Sequence, residues 1–135
     1  MDSVLDKAKI IFALSGGVFG WLFGAFDSLI YALIAFVAID YITGVLVAIH
    51  NRTVSSETGF KGISKKVMIF ALVALGNIID QNIINSGSSI RTMIIMFYLS
   101  NEGISIIENA GKIGLPLPQK LKAILRQLNK SDNSK

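Results

Sequence analysis

Apolar residues in this chain fall into long blocks separated by short polar stretches. They do not alternate as in a half-buried strand, nor follow the one-sided stripe of a surface helix. Residues 10–26 are uncharged and rich in glycine, and residues 28–49 carry a single charge, Asp40. Residues 67–84 again carry one, Asp80, and residues 91–109 enclose an apolar run that contains Asn101 and Glu102. About 20 apolar residues cross a bilayer as a helix, so the pattern predicts membrane spans at 28–49, 67–84 and 91–109. At 17 residues, the 10–26 run is at the short limit for spanning, and only Asp27 and Ser28 divide it from the next block. It reads as an N-terminal helix, retained and not cleaved, and as a candidate fourth span. The expected fold is therefore an all-α integral membrane protein. Three transmembrane helices are joined by a glycine-rich N-terminal helix and a basic amphipathic C-terminal helix, in one membrane domain over 1–135.

The polar connections set the expected orientation. In 50–66 the cations Arg52, Lys61, Lys65 and Lys66 face one acid, Glu57, and Ser55, Ser56, Gly59 and Gly62 supply turn residues. A basic loop between spans belongs on the cytoplasmic side. In 117–130, Leu117, Leu121, Ile124, Leu125 and Leu128 share one helix face, with Lys120, Lys122, Arg126 and Lys130 on the other. That is an amphipathic helix suited to an anionic membrane surface. Lys65 and Lys66 are expected at the same surface, and residues 131–135 are expected as a disordered tail. The loop and the C-terminus then lie inside and the 85–91 turn outside. The N-terminus lies outside if 10–26 does not cross and inside if it does.

Composition narrows the function classes. Of 135 residues, 52% are hydrophobic and 16% charged, whereas soluble domains carry about 25% charged residues. The net charge of +4 sits in the middle loop and the tail, so topology and anionic lipid account for it without nucleic acid. There is no cysteine and only one histidine, His50, at a helix end. Neither a metal set, a catalytic triad nor a cofactor motif is present, and the chain reads as a non-enzyme.

The residues of interest are the polar ones inside the spans. Asp40, Thr43, Gly44 and Val47 share a helix face. A carboxylate at this depth costs about 2.5–3.5 kcal/mol on insertion scales, so it should face protein or water. Asp80 lies one turn from Gly76, with Asn77 nearby, and either lines a pore or serves as a helix-end polar group. Asn101 and Glu102 lie inside the last span, and Glu102, Ser105 and Asn109 form a polar stripe at helical spacing, either interhelical glue or the wall of an aqueous hole. Asn101 is a candidate of the same kind. Gly16, Gly20 and Gly24 recur every fourth residue, the spacing of a small-residue packing strip in membrane helices.

Taken together, several strings resemble a known family. They are Asp40-x-x-x-Gly44, then Gly62-x-x-Lys65-Lys66, then Asp80 in the next span. Asn101-Glu102-x-x-Ser105-x-x-Glu108-Asn109 follows, and then Gly114-Leu115-Pro116-Leu117-Pro118. In order and spacing they are similar to the toxin-secretion and phage-lysis holin family, over about residues 29–128. That family more often has an aromatic-Glu pair where Asn101-Glu102 stands. The resemblance implies a small protein of the host bacterial cytoplasmic membrane that associates with itself and opens lesions at a set time. A cell-wall hydrolase (endolysin), or in some relatives a toxin, escapes without needing to touch it, and an antiholin is a further candidate partner. The residues alone leave two other classes open. One is a small proton-coupled transporter using Asp40 or Glu102, and the other is a structural subunit of a larger membrane complex.

Overall fold

A computed structural model describes residues 2–85 and 87–133, with side chains as far as 127 except at 125. Its described residues form helices and short connections. The helices are α1 (Asp2–Phe23), α2 (Ser28–His50), α3 (Ser56–Ile78), α4 (Ser89–Ile113) and α5 (Gln119–Asn133). α3 runs on through a wider π-type turn, Ile79–Ile84. Among the described residues, the spans long and apolar enough to cross a membrane are Ser28–His50, Ser56–Ile84 and Ser89–Ile113. The all-α membrane architecture expected from the sequence is what the chain adopts.

Local chemistry sets the helix ends. Asp27 caps α2 by accepting from the Ile30 N–H at 3.1 Å, and Ser55 caps α3 by accepting from Thr58 at 3.1 Å. The polar segment 50–66, expected as a loop, is thereby mostly helix, and only 51–55 connects α2 to α3. The Ser55 cap and the Glu57–Lys61 pair at 3.5 Å support helix over residues whose glycines and serines suggested a turn. With 29 residues to Ile84, this helix is about 43 Å long and exceeds a 30 Å hydrocarbon core. α4 likewise runs beyond 91–109, ending where Gly114 turns left-handed and Leu115 N–H reaches back to Ala110 O at 3.1 Å. At the C-terminus, residues 131–133 continue α5 instead of starting a tail, and 134–135 lie outside the described residues.

α2 packs most extensively on α4, and α3 crosses α4 closely near Gly76. A Cβ at Gly76 would meet Ile94 Cδ1 at 2.7 Å and the Arg91 backbone at 3.3 Å. The apolar core lies in the half of the bundle toward Asp27 and Arg91, built from Ile30, Leu33, Val37, Ile69, Val73 and Ile95. α1 stands apart. It has no buried residue, and every described residue from 2 to 19 is exposed.

Candidate functional site

Polar side chains gather at two levels of the bundle. At the first, Lys66 of α3 projects between α2 and α4 and donates both to Asp40 and to Glu102, the latter at 2.5 Å. Asp40 and Glu102 are 7% and 5% exposed, so each carboxylate meets its counter-ion inside the protein. Asn109 of α4 donates to Asp40 Oδ1 at 3.2 Å and to Thr43 Oγ1 at 2.9 Å. Ser105 lies against the same carboxylate. Asp40 follows Asp27 by 13 positions, about 20 Å of helix rise, so the cluster lies well inside the spans. A charge pair in such a place is tolerated when its geometry is good and its remaining hydrogen bonds are made.

Open space flanks this cluster on both sides of α3. A cavity of about 720 Å³ runs from the 51–55 connection to Asp40, Gly44, Lys66, Ser105 and Asn109. Another of about 480 Å³ lies between α3 and α4, lined by Lys65, Lys66, Tyr98, Asn101 and Glu102. The first half of α3 is therefore joined to α2 and α4 chiefly at Lys66 and around Tyr41, whose ring lies 3.4 Å from where a Gly62 Cβ would be.

The second level lies at the opposite end, and its residues tie the chain together. Asp80, fully buried, accepts from the N–H groups of Ile90 and Arg91 at 3.1 and 2.8 Å. It thereby satisfies two of the unpaired donors that begin α4. Arg91 Nε donates to Phe23 O at 2.5 Å, and its Nη atoms reach Ala25 O at 2.9 Å and Asp27 Oδ2 at 3.1 Å. Asn77 Nδ2 donates to Trp21 O and Leu22 O at 3.0 and 3.1 Å. These bonds occupy carbonyls that the end of α1 leaves free. Arg91 beside Asp27, together with the Ile30 N–H, holds the Asp27 carboxyl below its ordinary value.

The structure thus brings Asp40, Glu102, Ser105 and Asn109 together, with Gly44 and Asn101 on the cavity walls. Asn77 and Asp80 belong to the other cluster, where Asp80 is a helix-end polar group. Lys66, expected at the membrane surface, is instead the shared cation of the buried cluster, because two carboxylates in the spans require a partner. Lys65 is exposed and lines the smaller cavity. Gly24 does not continue a strip with Gly16 and Gly20. It lies beyond α1 with φ +79°, a conformation that disfavours a side chain, and a Cβ there would fall 2.8 Å from Asn77 Oδ1. Gly16 and Gly20 meet nothing within 4 Å. Lys120 and Arg126 of α5 are exposed and Lys122 is half-buried, while the side chains of Leu125, Leu128 and Lys130 lie outside the described residues.

Lys66, Arg91 and Asp27 are the residues whose roles sequence reasoning missed. Asp40 and Glu102, acids in the interior of predicted spans whose one cation is Arg91 at an end, were the available signal for Lys66.

The bacteriophage holin family model matches residues 17–130, most of the chain. The chain belongs to the bacteriophage holin family. This holin-family protein is similar to an uncharacterised protein of Clostridium perfringens, 36% identical over the full length of both chains. One from Listeria innocua is 44% identical, over 82% of this chain and 78% of the relative. One from Bacillus subtilis is 32% identical, over 85% of this chain and 81% of the relative. No solved structure matches the chain. Membership of the family, with three candidate spans, makes it a multi-pass membrane protein.

Proposed function

We propose that this holin-family protein accumulates in the bacterial cytoplasmic membrane, associates with itself and opens lesions through which a cell-wall hydrolase reaches its substrate. A secreted toxin is the alternative cargo. The observation that carries the reading is the convergence of Asp40, Lys66, Glu102, Ser105 and Asn109 on one inward face of three spans. A chain with so few spans encloses a large hole only by oligomerising. Each copy then needs a face that water can wet, and this one keeps such a face folded inward. The cavities beside α3 mark where the helices part with the least loss of packing.

The 51–55 connection, the first half of α3 and α5 face the cytoplasm in this reading, by their basic excess. Lys65 and the cations of α5, Lys120, Lys122, Arg126 and Lys130, then meet anionic lipid. Asp27, Asp80 and Arg91 lie toward the outside. The protein performs no bond chemistry, and the hydrolase needs no contact with it beyond the hole. An antiholin would act by holding the inward-folded state.

The test is the turbidity of a bacterial culture induced to make the full chain, with and without a co-expressed cytoplasmic muralytic enzyme. Abrupt clearing only with the enzyme supports passage of folded protein. Continued growth in both cultures, with the chain present in the membrane, contradicts it.

A further inference from the structure

The end of α1 is held by groups that any copy of the chain can offer to any other. Asn77 and Arg91 grip it through the backbone carbonyls of Trp21, Leu22 and Phe23, and the Phe23 ring packs edge-on against Phe70 at 6.4 Å. Residues 2–19 meet none of the rest of the bundle closely enough to be even half-buried. α1 is therefore a long arm fastened at one end, joined to α2 by residues 24–27. That link is folded tightly, with Gly24 at φ +79° and Asp27 N–H bonded to Ala25 O at 2.9 Å.

We propose that the grip formed by Asn77, Arg91 and Phe70 takes α1 of a second copy, so that copies join by exchanging this arm. This rests on the self-association proposed above and names the surface that performs it. Exchange re-forms the bonds to the Trp21, Leu22 and Phe23 carbonyls and the same ring contact between chains. Its cost therefore falls on the link, which gives up the Arg91–Ala25 and Asp27–Ala25 bonds. Arg91 keeps its own Asp27, which caps α2 of its own chain. Extended, four residues span about 13 Å, enough to pass one helix of roughly 10 Å diameter. A neighbouring grip is reached where two bundles meet with their grips side by side. Each copy gives one arm and receives one, a head-to-tail contact that closes into a ring or grows as an open chain. Within one chain the tether gives the arm a high effective concentration. Exchange therefore wins only when copies crowd in the membrane.

Cross-linking in membranes of induced cells tests this, using the full chain with p-benzoylphenylalanine in place of Phe23. Before lesions open, irradiation is expected to yield adducts of single-chain mass. After they open, it is expected to yield species of two or more chains, joined to the segment around Phe70 of another copy. A second experiment co-expresses differently tagged chains carrying Gly24→Cys alone and Asn77→Cys alone. The chain has no cysteine of its own, and a Cβ at position 24 would lie 2.8 Å from the Asn77 side chain, so the two introduced thiols are neighbours wherever the arm is gripped. A disulfide between the two tagged chains, appearing with lesion opening, supports exchange. Photo-adducts confined to one chain after lesions have opened overturn it. If no lesions open at all, self-association is still read from the cross-links, and it is the lesion reading that fails.

Discussion

Lys66 of α3 and Asp40 of α2 form an ion pair inside the bundle, and the same ammonium holds Glu102 of α4 at 2.5 Å. One lysine thus ties all three spans at a level where the walls beside it are open. Lys66→Met would leave two carboxylates without their cation, an uncompensated burial that costs about 3–5 kcal/mol. Thermal unfolding in detergent is expected to show a lower midpoint, and permeabilisation in cells an earlier onset. A midpoint equal to that of the unaltered chain would show that the triad does not hold the helices together.

Asp40→Asn has a milder expected effect. It leaves Lys66 paired with Glu102 one to one and keeps an oxygen for Asn109 to bond. The fold should persist while one of the two links from α3 is lost. Lysis timing at matched expression is expected to shift, and unchanged timing and efficiency would remove Asp40 from the opening step.

Asp80→Ala should destabilise the bundle by roughly 2–3 kcal/mol, since two N–H groups at the start of α4 lose a charged acceptor. Asp80→Asn keeps one acceptor oxygen and should recover part of the loss. Equal stability of the alanine variant, read from denaturant midpoints in micelles, would contradict the capping role.

The Asp27–Arg91 pair carries a pH signature. Hydrogen bonds from Arg91 first, and from the Ile30 N–H next, hold the folded carboxyl below its ordinary 3.8. Stability from this pair is then complete above the ordinary value and is lost as the pH falls through the lower folded one. Unfolding midpoints should show a decline below about pH 4 that Asp27→Asn reduces. The same decline in both proteins would assign it to other groups.

Glycines separate packed from open faces. Gly76→Ala places a methyl 2.7 Å from Ile94 Cδ1 and should cost about 1–3 kcal/mol by overpacking. Gly16→Ala and Gly20→Ala meet nothing within 4 Å and should leave the folded bundle as stable as before. A loss from either would mean that this face of α1 is already covered.

The helical membrane architecture was legible because apolar blocks of span length dominate the sequence. The start of α3 was not, since residues 51–66 lack such a block and its evidence is the Ser55 cap and the Glu57–Lys61 pair. Asp40, Glu102, Ser105 and Asn109 were legible as polar residues at helical spacing within spans. Lys66 was misplaced because a cation beside a basic loop is ordinarily in water, and only the fold shows it reaching 26 and 36 positions away. The grip on α1 was hidden for a different reason. Asn77 and Arg91 bond backbone carbonyls, which carry no residue-specific signal.

The central claim is that the inward polar face becomes the wall of the lesion, and Ser105→Cys reports on it directly. The chain has no other cysteine, and Ser105 lines a cavity of about 720 Å³, too small for a polymer-linked maleimide that cannot cross membranes. Its labelling should be slow before the onset of lysis and rapid once lesions pass folded protein. Labelling that stays slow while folded protein escapes would contradict the claim.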